Sequence, residues 1–287
     1  MADPVFPPAA LEQLNALYPE RAGTLTHALA GHPLLSLDAL AALAGRMRAI
    51  DVEHNLGDLP VGIDPAEVRR SRLDPQEIIA SIEANGSWMV LKFVEQDPAY
   101  RDLLHATLQE IAPIVAPRTG AMLKLEGFVF ISSPGAVTPF HFDPEHNILL
   151  QIRGRKTMTI FPAGDPAIAN GAAHEAFHLG GHRNLPYCEE FASQATALTI
   201  GPGEAIYVPV KSPHWVKNGD APSVSFSITW RSEWSYREAD ARGFNHLLRS
   251  IGLDPADPGR YPQQNHVKSI AWRTIGKVRR IIGAGRM

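Results

Sequence analysis

Cysteine is almost missing from this chain: Cys188 stands alone among 287 residues. One thiol excludes an intramolecular disulfide framework and a cysteine-built zinc cluster. It fits a reducing cytoplasm, which is the compartment expected. Long apolar runs are also missing, and none approaches the length that crosses a bilayer. The opening segment, MADPVFPPAALEQL, has no basic n-region or apolar h-region, so no secretory leader is expected. An excess of one charge is missing too. The 27 Lys and Arg stand against 30 Asp and Glu, for a net charge of −3. No global attraction to nucleic acid or membrane follows from that balance. There is no internal repeat or low-complexity segment. The hydrophobic share, 45%, is enough for the core of one large domain or two small ones.

What the chain does have is histidine, twelve in all. The informative stretch is Thr138-Pro139-Phe140-His141-Phe142-Asp143-Pro144-Glu145-His146-Asn147. In extended backbone, His141 and Asp143 point to the same side, so an imidazole nitrogen and a carboxylate oxygen can meet one cation. The competing reading is a surface turn in which Pro144 ends the strand and Asp143 bonds its own backbone. A second histidine, His214, follows the apolar strand that ends at Pro209. Two histidines and a carboxylate on one face of a metal leave the opposite positions open, as in the facial triad of non-haem iron(II) oxygenases.

The runs TPFHFDPEHNILLQIRGRK and YVPVKSPHWVKNG resemble the JmjC/cupin-8 group of 2-oxoglutarate oxygenases, and the asparaginyl-hydroxylase-like branch in particular. The likeness covers roughly residues 119–232. It implies a double-stranded β-helix of the jelly-roll or cupin type, mainly β with flanking helices. It also implies iron(II) on His141, Asp143 and His214. Lys156 would then pair with the distal carboxylate of 2-oxoglutarate, with Thr138 and Asn147 assisting. The reaction implied is hydroxylation of a C–H bond on a protein side chain, with a small metabolite or an RNA base as other substrate classes. A homodimer through C-terminal helices is implied as well.

Three regions are expected: a helical and supporting-strand part over 1–118, the catalytic β-helix over 119–232, and a helical part over 233–287. Residues 1–50 read as helices. Asp74-Pro75-Gln76-Glu77 is a helix start with an N-cap, a proline at N1 and a carboxylate at N3. Residues 88–94 read as a strand. Asp97-Pro98 opens a helix expected to end near Ala112-Pro113. Strands follow at 128–131, 147–153, 156–161, 197–200, 205–209 and 223–230. Residues 147–153 and 156–161 read as an antiparallel pair turning at Gly154. Asn147, Leu149 and Gln151 share one face, as do Lys156, Met158 and Ile160. If those faces line a barrel, the lysine needs an anion inside it. The alternative is a solvated strand end beside Arg153 and Arg155.

Residues 162–194 form an irregular insertion. His174 and His178 share a helical face there, which suggests a second metal or, more simply, a lid or solvated loop. Arg183, Asn184 and Tyr187 are candidate substrate contacts. Ser235 to Glu238 resembles a capping box, with Phe244, Leu247, Leu248 and Ile251 on one side of its helix. The tail from His266 has Lys and Arg but no Asp or Glu. Val267, Ile270, Ala271, Ile275, Val278, Ile281 and Ile282 form its apolar face, to be packed on the body or on a second subunit. The alternative is an acidic surface such as nucleic acid or anionic lipid.

Two other functional classes fit parts of the pattern. One is a cupin that uses its metal as a Lewis acid, for which Lys156, Thr138 and Asn147 have no use. The other is a sensor or transcription-related regulator that binds a ligand or nucleic acid without turnover. No helix-turn-helix pair supports it.

Overall fold

The computed structural model describes residues 3–284. In chain order the elements are α1 (Pro8–Leu17), β1 (Gly23–Thr26), α2 (Leu37–Ala44), β2 (Val52–Leu56), α3 (Pro75–Ala80), β3 (Ser87–Lys92), α4 (Pro98–Thr119), β4 (Met122–Ser132), β5 (Val137–His141), β6 (His146–Arg153), β7 (Lys156–Ile160), α5 (Gly171–His178), β8 (Thr196–Ile200), β9 (Glu204–Val208), β10 (His214–Asn218), β11 (Ser223–Ser232), α6 (Glu233–Ser250) and α7 (His266–Ala284). Among the described residues no helix is long and apolar enough to cross a membrane.

Two antiparallel sheets face each other. The major sheet runs β1-β9-β6-β11-β4-β3-β2 and the minor sheet β5-β10-β7-β8. This is the jelly-roll core with flanking helices. Strand alternation sorts the side chains into two layers. On β11, Phe226, Ile228 and Trp230 point outward and join Val129, Ile148 and Leu150 under α4. Its other face carries Ser225, Ser227 and Thr229, all buried between the sheets. Leu149, Met158, Ile160, Ile206, Val208 and Val216 complete that inner layer. Apolar side chains thus hold the barrel together, while β11 and β6 line part of it with hydroxyls and amides.

The stretch 1–50 is not all helical, because Gly23–Thr26 pairs with β9 at the edge of the major sheet. Residues 147–153 and 156–161 are not a hairpin. The turn at Gly154 (φ +71°) carries the chain from one sheet to the other, so β6 pairs with β9 and β11, and β7 with β10 and β8. The predicted faces still meet, because each is the inner face of its own sheet. Helix α4 continues through Pro113 and Pro117 to Thr119. Both prolines lie on its exposed side, so the carbonyls they free can bond water, while Leu108, Ile111 and Val115 stay buried. The capping box at Asp74 is present, with Glu77 as its partner.

Helix α6 starts earlier than its sequence suggests. Ser232 is the N-cap and Ser235 its reciprocal partner. Its buried side is Trp234, Glu238, Ala241, Arg242 and Asn245, not the Phe244-Leu247-Leu248-Ile251 stripe, and Ile251 is exposed. Much of the apolar face of α7 does not pack on the body, although Ala271 and Ile275 are half-buried. Val267, Ile270, Val278 and Ile281 are exposed; the side chain of Ile282 lies outside the described residues. Instead α7 docks on α6 through polar groups: Ser269 Oγ and Arg273 Nε both donate to Asp240 Oδ2, and Trp272 covers Gly243.

Candidate metal and co-substrate site

Strands β5 and β10 are neighbours in the minor sheet, and their register sets His141 opposite His214. Asp143 lies just past the end of β5. Asp143 Oδ2 is 3.6 Å from His141 Nε2 and 3.7 Å from His214 Nε2. Among the described residues this is the one cluster of three or more His, Cys, Asp or Glu whose ligand atoms lie within 4.8 Å of one another. Both rings are fixed the same way. His141 Nδ1 donates to the Pro139 carbonyl at 2.7 Å, and His214 Nδ1 to the Ser212 carbonyl at 2.9 Å. A carbonyl only accepts, so Nδ1 carries a proton and each Nε2 is turned to the centre. Burial, and then His141, push the His214 imidazole down to about 4, which keeps it neutral. Burial opposes ionisation of Asp143, but Arg183 and then His141 outweigh it and hold the carboxyl well below the usual range. Two imidazoles and one carboxylate are the donor set that suits a divalent iron centre with open positions.

Lys156 lies deeper in the same barrel. Its register partner is Asn218, four residues along β10 from His214. At about 3.3 Å per residue the two levels are roughly 13 Å apart along the strand. Lys156 is 5% exposed. Burial pushes its ammonium down to about 7, and among the described residues no anion faces it to offset that cost. Asn218 Oδ1 is buried without a hydrogen-bond partner.

Thr138 and Asn147 both have their oxygens engaged. Trp88 Nε1 donates to Thr138 Oγ1 at 3.1 Å, and Ser227 Oγ donates to Asn147 Oδ1 at 2.8 Å. That leaves the threonine hydroxyl proton and the asparagine amide protons for another acceptor. The inner faces of the two sheets therefore carry donors at Lys156, Thr138 and Asn147. His146, in the same motif, has a different role: it is fully buried on the outer face, bonded to Tyr207 and Ser232 and stacked on Trp230.

The insertion belongs to this site. Phe140, Phe142, Phe161, Ile168 and Leu185 form a cluster that seats it on the outside of the minor sheet. Residues 183–185 pair with the edge of β5, since Leu185 N–H donates to Phe140 O and Phe142 N–H to Arg183 O. Of the three candidate substrate contacts, Arg183 bonds Asp143, Asn184 pairs with the His141 backbone, and Tyr187 packs edge-on against Phe140. His174 and His178 do not make a second metal cluster. His178 Nε2 accepts from Lys211 Nζ, and His174 lies against Phe142. Sequence reasoning missed Trp88, Ser227 and Lys211. Strand parity alone would have aimed Trp88 and Ser227 inward. Nothing in the sequence marks Lys211 as buried.

Residues 104–236 match the cupin-like domain family. Jumonji C domain-containing protein 5 of Drosophila melanogaster is 31% identical over 110 residues, which is 35% of this chain and 26% of that protein. Over this stretch the chain is similar to cupin-like and JmjC-domain proteins. Lysine-specific demethylase 8 of Xenopus tropicalis is 27% identical over 104 residues, 33% of this chain and 22% of the relative. The matched part thus spans about a quarter of these relatives' length. In fold the chain is similar to Escherichia coli YcfD, with a TM-score of 0.51, 16% identity, and coverage of 92% of this chain and 66% of that one. A structure of YcfD, a ribosomal oxygenase, in complex with cobalt and 2-oxoglutarate aligns with a TM-score of 0.50 at 15% identity, covering 91% and 62%.

Proposed function

We propose that this chain is an iron(II)- and 2-oxoglutarate-dependent oxygenase that hydroxylates a C–H bond of a protein side chain. The observation that carries this reading is Lys156, a buried ammonium with no anion beside it, in the barrel whose other end holds the His141–Asp143–His214 cluster. A Lewis-acid cupin has no use for such a group. A five-carbon 2-oxo diacid does, because one end meets the metal while the far carboxylate meets the lysine.

Each residue then has a task. His141, Asp143 and His214 hold the metal, and the carbonyls of Pro139 and Ser212 keep both imidazoles in the binding tautomer. Lys156 binds the far carboxylate, with Thr138 donating beside it and Asn147 orienting the acid from β6. Their own oxygens are engaged by Trp88 and Ser227, so they offer only donors to an anion. Bound iron(II) supplies the oxygen chemistry, which couples oxidative decarboxylation of 2-oxoglutarate to insertion of one oxygen into the substrate.

The names of the relatives, a lysine-specific demethylase and a ribosomal oxygenase, support a protein substrate over a small metabolite. The exposed apolar stripe of α7 supports a homodimer through C-terminal helices. The lone Cys188 supports a reducing cytoplasm. Mass spectrometry of a cell lysate incubated with the protein, iron(II), oxygen and 2-oxoglutarate tests the substrate class. A gain of one oxygen on a defined peptide is expected. The same gain confined to a metabolite or an RNA base would overturn the protein-substrate reading.

A further inference from the structure

The turn between β9 and β10, which delivers His214, is tied to two elements outside the barrel through one residue. Lys211 has φ +59°, a left-handed conformation in which glycine is the usual occupant. A lysine there is strained, so something must hold it. Its side chain is 2% exposed, and Nζ donates to Glu238 Oε1 at 3.0 Å and to His178 Nε2 at 2.7 Å. Glu238 lies on α6 and is braced by Arg242 Nε at 2.9 Å. His178 ends α5 in the insertion. Burial, and then Lys211, push the His178 imidazole down to about 3, so it is a neutral acceptor. The backbone N–H of the same lysine donates to the Asp143 carbonyl at 2.8 Å.

Lys211 therefore touches Asp143 through its main chain and precedes His214 by three residues. A peg that served only to dock α6 would need the Lys211–Glu238 pair alone. It would not need a left-handed backbone, an acceptor from the insertion, or a bond to the residue that carries the carboxylate. If the ammonium is released, position 211 is free to relax toward negative φ. The N–H then leaves the Asp143 carbonyl, and the Ser212-Pro213-His214 segment swings with it.

We propose that Lys211 is a positioning residue of the metal site, set from the insertion by His178 and from α6 by Glu238. The proposal rests on the reading that His141, Asp143 and His214 bind a divalent metal.

The test is manganese(II) binding to the full chain, followed by calorimetry and by the electron paramagnetic resonance spectrum at saturation. Lys211→Met should weaken manganese about 10-fold or more, the range seen when an outer partner of a metal ligand is removed. It should also change the spectrum of the bound ion, which a merely stabilising role would leave alone. His178→Leu should move both readouts in the same direction. His178→Gln, which keeps an acceptor for the ammonium, should restore both. If Lys211→Met does not fold, the two His178 variants carry the test. Wild-type affinity and spectrum in His178→Leu, or in Lys211→Met, would overturn the proposal. Failure of the wild type to bind manganese would instead strike the metal reading on which it rests.

Discussion

Arg183 divides the two oxygens of Asp143. Its Nη1 lies 2.7 Å from Oδ1, while Oδ2 faces the Nε2 atoms of His141 and His214 at 3.6 and 3.7 Å. One oxygen is held by the insertion and the other is left to the centre. The carboxylate is therefore oriented by a segment that is not part of either sheet.

Asp143→Ala removes the one carboxylate of the cluster and should abolish turnover. Manganese affinity should fall by more than the roughly 10- to 100-fold typical of an outer-partner change. The fold should survive, because the side chain of Arg183 is 46% exposed and water can replace its lost partner. Calorimetry with manganese checks the affinity, and unchanged binding would remove Asp143 from the ligand set.

Lys156→Ala should weaken 2-oxoglutarate by roughly two to three and a half orders of magnitude, from the ~3–5 kcal/mol cost of breaking a buried charge pair. Manganese binding should change little, since Lys156 is not among the clustered ligand atoms. Lys156→Arg should rescue in part, keeping the charge but not the geometry. Equal co-substrate affinity in wild type and Lys156→Ala would move the anchor elsewhere.

The same lysine should make the ligand-free protein sensitive to pH. Burial pushes its folded-state value down to about 7, against about 10.4 in an unfolded chain. Below about pH 7 both states carry the proton, and the folded state bears the full cost of a buried charge. Between about pH 7 and 10 the unfolded state binds more protons, so this contribution to stability rises with pH. Lys156→Met should therefore be more stable than wild type near pH 6.5. The gap should narrow by about 2 kcal/mol by pH 9. Urea unfolding at the two pH values reads it, and a gap that is absent or constant would show that the ammonium is not buried alone.

Exchanging Val267, Ile270, Val278 and Ile281 for serine should lower the subunit count measured by light scattering while leaving manganese binding intact. These four side chains are exposed, whereas the docking of α7 on α6 uses Ser269, Trp272 and Arg273. The same subunit count in both proteins would return the stripe to another partner.

The sequence made the centre of the site legible because its ligands are local or sit at strand ends. His-x-Asp is a two-residue periodicity, and the inner faces of residues 147–151 and 156–160 follow from the same alternation. The Asp74 capping box was legible for the same reason. What stayed hidden depends on distant partners. Four residues, Gly23–Thr26, form a strand only because β9 offers a free edge. The turn at Gly154 looks like a hairpin locally, and only the packing of two sheets parts its arms. Glu238 looked like the far half of a capping box, but its carboxylate bonds Lys211 across the fold. The stripe on α7 reads as packed on the body or on a second subunit, yet within this chain polar residues of the neighbouring face meet Asp240 instead.

The most direct test of the account is an anaerobic titration of 2-oxoglutarate into the iron(II)-loaded protein, following the metal-to-ligand absorption band. The account predicts a saturable band in wild type that needs roughly 100-fold more co-substrate, or more, in Lys156→Ala. The absence of any band in wild type, with iron demonstrably bound, would contradict it.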